Sequence, residues 1–137
     1  MSRLIGIINL DNKKVEERTV IRMGQKYRDS IPTEVFIRDK IGLGVFQWSD
    51  SNTVKNKCLY SSFSDDNGCI AIDGRIYYLD DDDKKKYGNL KDTSSSKILY
   101  KTYRDEGLKN IFRYDSSFTS IIYDIKNNTL IISKDRL

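Results

Sequence analysis

The chain has 137 residues, 38% hydrophobic and 32% charged, with a net charge of +4 and no histidine. That length accommodates one domain with a real core, and the balance is that of a globular chain rather than a disordered or low-complexity one. Without histidine, Ser-His-Asp and Cys-His triads and most transition-metal sites are excluded, whereas a nucleophile whose base is an α-amine of pKa roughly 8 survives.

The Lys and Arg residues are dispersed rather than clustered among aromatics, which argues against nucleic-acid binding. No run approaches a membrane span and no apolar signal-peptide core is present, so no membrane association and a cytoplasmic location are expected. Cys58 and Cys69 are too few and too far apart for a zinc motif and read as small apolar packers, so neither metal nor cofactor is expected.

Leu4 to Leu10 is a nearly continuous apolar run, as in a buried strand, and Asp11-Asn12 marks a turn. From Val15 to about Tyr27 the apolar positions Val15, Val20, Met23 and Tyr27 share one helical face, with Glu16 and Glu17 in the first turn where the macrodipole favours them. Ser30-Ile31-Pro32 is expected to end that helix, and Val35–Ile37 and Ile41–Phe46 follow as short strands around Asp39-Lys40.

Residues 49–57 read as loop. Cys69–Ile72 and Arg75–Leu79 flank Asp73-Gly74, a strong hairpin dipeptide. Asp80–Asp83 followed by Lys84–Lys86 reads as a solvated loop rather than a cation cage. Ser94 to Ser96 supply N-cap hydroxyls for a helix from about Lys97 to Glu106, stopped by Gly107, with Ile98, Leu99, Thr102 and Tyr103 on its apolar face. Phe118–Ile125 and Thr129–Ser133 form a hairpin about Asn127-Asn128. Strand, helix, several strands, helix, hairpin is an α+β order with mainly antiparallel sheet, in a single domain spanning residues 1–137.

Five motifs in this order resemble the class II glutamine amidotransferase domain of glutamine-dependent asparagine synthetases. They are Ile5-Gly6-Ile7 with Asn9-Leu10-Asp11, Ile41-Gly-Leu-Gly44, Asp73-Gly-Arg-Ile-Tyr77, Tyr103-Arg-Asp-Glu-Gly107, and the closing Asn128-Thr-Leu-Ile-Ile-Ser-Lys-Asp-Arg-Leu137. The resemblance implies an Ntn-hydrolase-like αββα sandwich, here C-terminally truncated. In that family Met1 is removed and an exposed cysteine attacks glutamine, with its own α-amine as base.

The departures fall on the chemistry that the resemblance implies. Ser2 stands at the nucleophile position and Arg3 in place of the glycine that follows it. Gln47 replaces an arginine that grips the substrate carboxylate, and a neutral amide supplies no bidentate charged clamp. Asp73 replaces the oxyanion-hole asparagine, although Gly74 keeps its backbone N–H, and Ser95 replaces the aspartate that holds the substrate ammonium. Of the Arg-Gly-Pro loop only the proline of Ser30-Ile31-Pro32 is kept.

Loss of nucleophile, both clamps and an oxyanion donor points to a pseudoenzyme that scaffolds or regulates a synthetase-type partner. A truncated sandwich leaves a sheet edge or apolar face to be covered by that partner or by self-association. The alternative is an amidohydrolase that uses Ser2 on an amide other than glutamine. A third possibility is a small ligand held in the remnant pocket, which Arg3, Gln47, Asp73 and Ser95 would line if the family geometry holds.

Overall fold

Two antiparallel sheets account for most of the computed structural model, which describes residues 2–26, 30–48 and 60–135. The first sheet holds β1 (Ser2–Ile8), β2 (Ser30–Arg38) and β3 (Ile41–Trp48) in the order β1-β3-β2. The second holds β4 (Tyr60–Asp65), β5 (Gly68–Tyr78), β6 (Asp115–Asp124) and β7 (Thr129–Lys134) in sequence order. Among the described residues three helices accompany them, α1 (Glu17–Gln25), α2 (Asp81–Tyr87) and α3 (Ser95–Glu106), with a 3₁₀ helix at Leu108–Arg113.

Strand alternation sorts the apolar residues into three cores. Ile41, Leu43 and Val45 of β3 meet Cys69 and Ala71 of β5 and Ile121 and Tyr123 of β6, so the sheets pack face to face. On the outer face of the first sheet, Val20 of α1 and the preceding Val15 pack on Phe46, with Ile5, Ile7, Val35 and Ile37 beside them. On the outer face of the second, Ile98, Leu99 and Tyr100 of α3 pack on Ile70, Ile72, Phe118 and Ile122. The layers therefore run helix, sheet, sheet, helix, and the class is α+β with antiparallel sheets.

The glycines of Ile41-Gly-Leu-Gly44 have a packing role. A Cβ on Gly42 would lie 2.7 Å from both Val15 and Val20, and one on Gly44 would lie 2.5 Å from the Phe46 ring. They let α1 settle on the first sheet.

Several expectations are corrected. The first helix is shorter than Val15 to Tyr27: Val15 is buried ahead of Glu17, and Tyr27 lies outside the described residues, as do Met1, Cys58 and the 49–57 loop. The first strand is not buried on all sides; β1 is an edge strand with Gly6 and Ile8 exposed. Ser30-Ile31-Pro32 opens β2 instead of merely ending a helix, and the proline sits on an edge strand beside a bulge, where a missing N–H is tolerated. Asp73-Gly74 is no turn: β5 runs through it, because Gly74 at φ +128° lies hard against the backbone of Ser117.

The acidic-basic run is a helix rather than a loop. Asp80 caps α2 by accepting from the Asp83 N–H at 2.8 Å, with three aspartates in the first turn and three lysines in the last, as the macrodipole favours. The helix from Ser95 to Glu106 keeps its anticipated Ser94 cap and Gly107 stop, the latter at φ +89°.

Charged groups join α2, α3 and the 3₁₀ helix. Arg113 donates to the buried Asp83 and to Glu106, and Glu106 also accepts from Lys86 and from the Tyr87 hydroxyl, each at 2.7 Å. Arg113 chiefly, then Lys86 and Tyr87, holds the Glu106 carboxyl at about 2, below its ordinary 4.5. A depressed folded value means that this contribution is complete above the unfolded pKa and disappears as the pH falls through about 2. Thermal melts across that range should therefore show Glu106→Gln less stable than wild type near neutrality, with the two converging toward the acid end.

Candidate functional site

The end-to-end alignment of the two sheets decides which expected site residues meet. At one end, Arg38 Nη1 donates to the Asp65 carbonyl at 2.8 Å, and a cavity of about 410 Å³ is lined by Arg38, Lys40, Tyr123 and Asn128. Midway, the Ser62 N–H donates to the Glu34 carboxylate, which sets Val45 (the register partner of Glu34) level with Ala71 (the partner of Ser62). Counted on from these two anchors, position 47 of β3 falls level with positions 73–74 of β5. Position 2 is the register partner of position 47. Ser2 and Gln47 on the first sheet, and Asp73 and Gly74 on the second, therefore occupy the same end of the sandwich.

Register across the second sheet adds two residues that sequence reasoning missed. Asp73 pairs with Thr119, and Thr119 with Lys134, so these three form a row across β5, β6 and β7. Asp73 and Thr119 are half-buried and Lys134 is exposed. The alternation of the hairpin about Asn127-Asn128 carried the signal, since Thr119 and Lys134 share the phase of Ile121 and Ile132. The row offers an acceptor, a hydroxyl and a cation.

Ser95 stands apart from this row. It is buried at the start of α3, on the helical side of the second sheet, and its Oγ accepts from the Ile76 N–H at 3.1 Å. This bond continues the close contact at Gly74, where a Cβ would lie 2.0 Å from the Ser117 carbonyl oxygen. Removing the hydroxyl leaves a buried donor unpaired, so Ser95→Ala should lose about 1–2 kcal/mol in urea unfolding.

The free thiol of Cys69 is buried between the sheets, and burial pushes it up to about 12, so it stays neutral and packs as an apolar group. Among the described residues no group of three or more His, Cys, Asp or Glu side chains is arranged to hold a metal ion. Nor is any described helix long and apolar enough to cross a membrane.

No protein-family model matches the chain, and no curated protein matches it. Geometry and residue chemistry are thus what bear on function. At the end that gathers positions 2, 47, 73 and 74, the chain carries the half-buried carboxylate of Asp73.

Proposed function

We propose that this chain is a class II amidotransferase-like domain with the Ntn-hydrolase layer order, that it no longer hydrolyses glutamine, and that it serves as scaffold or regulatory partner of a synthetase-type protein. The observation that carries the proposal is the alignment of the sheets: four positions remote in sequence, 2, 47, 73 and 74, share one end of a helix-sheet-sheet-helix sandwich. They are the positions that the resemblance assigns to nucleophile, carboxylate clamp and oxyanion hole.

What stands at them argues for silence. A serine hydroxyl is far less ionised near neutrality than a thiol. Neutral Gln47 lacks the paired charged donors of a guanidinium. Loss of a single oxyanion donor typically removes about 10²–10³ in rate, and Asp73 adds repulsion to that loss. Ser95 is engaged with the β5 backbone on the other side of the sheet.

Native affinity capture from the source cell, with the co-purifying chain identified by peptide mass, tests the partner. A stoichiometric adenylating synthetase carrying a Ser-Gly-Gly-x-Asp-Ser loop is the expected result. A monodisperse monomer without such a chain contradicts the proposal. An amide turnover abolished by Ser2→Ala would replace it with the N-terminal-serine amidohydrolase.

A further inference from the structure

Two edges of the sandwich are out of step. Among the described residues β1 packs against β5 and β6, whereas β7 forms the outer edge of the second sheet beyond β6. Ile131 and Ser133 of β7 turn toward the helical side, where Ile131 packs against the α3 core and Ser133 bonds Ser120. The alternate residues Leu130 and Ile132, partners of Tyr123 and Ile121, fall on the inter-sheet face, and they remain 38% and 70% exposed. Ile8 of β1 is 37% exposed.

The result is a notch between the free edge of β1 and the exposed aliphatics of β7. Its floor is Leu130 and Ile132, and its wall is the edge of β1, which among the described residues pairs only with β3. Natural edges are usually guarded by charge, proline or a bulge. The stretch Ser-Arg-Leu-Ile-Gly-Ile-Ile of β1 has no proline and one charge, and its pairing with β3 is free of bulges.

We infer that this notch receives one extended segment of a partner polypeptide, apolar at alternate positions and carrying carboxylates, which adds to β1 as a fourth strand of the first sheet. A second copy joined through β1 would set two edges of like charge against each other, which disfavours self-pairing there. The charge follows from sequence: β1 and β7 together hold Arg3 and Lys134 and no carboxylate. Backbone pairing supplies the affinity, and the two exposed aliphatics supply the preference for alternation. The inference deepens the proposal of a partner-bound module, and the two fail separately: glutamine turnover would overturn that proposal and leave the notch untouched.

The test uses the full chain and a capped peptide, Glu-Val-Glu-Val-Thr-Val-Glu, with a counterpart in which lysine replaces each glutamate. Amide hydrogen exchange over residues 2–8 should slow at least about tenfold with the acidic peptide at saturation, and the lysine peptide should bind at least about tenfold more weakly. Ile132→Thr should lose a similar factor in affinity with an unchanged melting temperature, since the side chain is already exposed. Unchanged exchange in β1, protection confined to the outer edge of β7, equal binding of the lysine peptide, or β1 protection that grows with protein concentration alone would each overturn the inference.

Discussion

Gly74→Ala should be the most damaging single substitution in the second sheet, with a loss of at least ~3 kcal/mol and a fall in Tm on the order of 10 °C or more. Two independent effects coincide there. The backbone sits at φ +128°, which L side chains rarely adopt, and the added Cβ would lie 2.0 Å from the Ser117 oxygen and 2.6 Å from the Phe118 Cα. Those obstacles are backbone atoms of the paired strand, so no rotamer change relieves them, and β5 would have to part from β6 in the middle of the sheet. Gly107→Ala is the natural control. It shares a positive φ of +89°, but its Cβ meets nothing within 4 Å, so it should lose only the conformational part, about 1 kcal/mol. Equal losses in guanidinium unfolding would show that glycine is required at position 74 by conformation alone and not by close approach.

Arg113→Ala should be the second large loss, about 3 kcal/mol. Asp83 is 6% exposed and receives Arg113, so truncating the guanidinium strands a buried carboxylate. Glu106 retains Lys86 and Tyr87, which keeps the effect below that of a fully buried triad. Replacing both partners with apolar residues, Arg113→Met with Asp83→Leu, removes the stranded charge and should recover most of the loss. A double-mutant cycle in denaturant, with the slope unchanged, measures the coupling. Additive losses would mean that Asp83 gains no stabilisation from Arg113.

The same residues show what could and could not be read from sequence. Ser94 before a helical stripe and Gly107 after it mark α3 unambiguously, because capping chemistry is local. Asn127-Asn128 marks the last hairpin for the same reason, with Asn128 at φ +48°. Asp73-Gly74 carries the local signature of a turn, yet the glycine serves a neighbour 43 positions later in the chain, Ser117, and no window about residue 74 contains that information. The run from Asp80 to Lys86 looks like loop because it has no apolar stripe. Its helix is held by a cap, the macrodipole, the Arg113 pairing and the single core anchor Tyr87, none of which shows as a periodic apolar pattern. The serine-rich β4 and the 3₁₀ helix at Leu108–Arg113 lack a clean period of either kind and went unanticipated.

Of the candidate site, the residue types were legible and the geometry was not. Ser2, Gln47, Asp73, Gly74 and Ser95 can be named from motifs. Only strand register brings the first four to one end, adds Thr119 and Lys134, and sets Ser95 behind β5. Register depends on pairing between segments far apart in sequence, and a one-residue slip would send each strand's side chains to the opposite face.

The central claim is that several losses, not one exchanged nucleophile, silence the glutamine site. Glutamine hydrolysis by the wild-type chain and by Ser2→Cys, with removal of Met1 verified by intact mass, tests it most directly. Both proteins should release ammonia no faster than the uncatalysed reaction. Glutamine turnover by Ser2→Cys, abolished again in Ser2→Ala, would show that the clamps and oxyanion donors still function and would contradict the account.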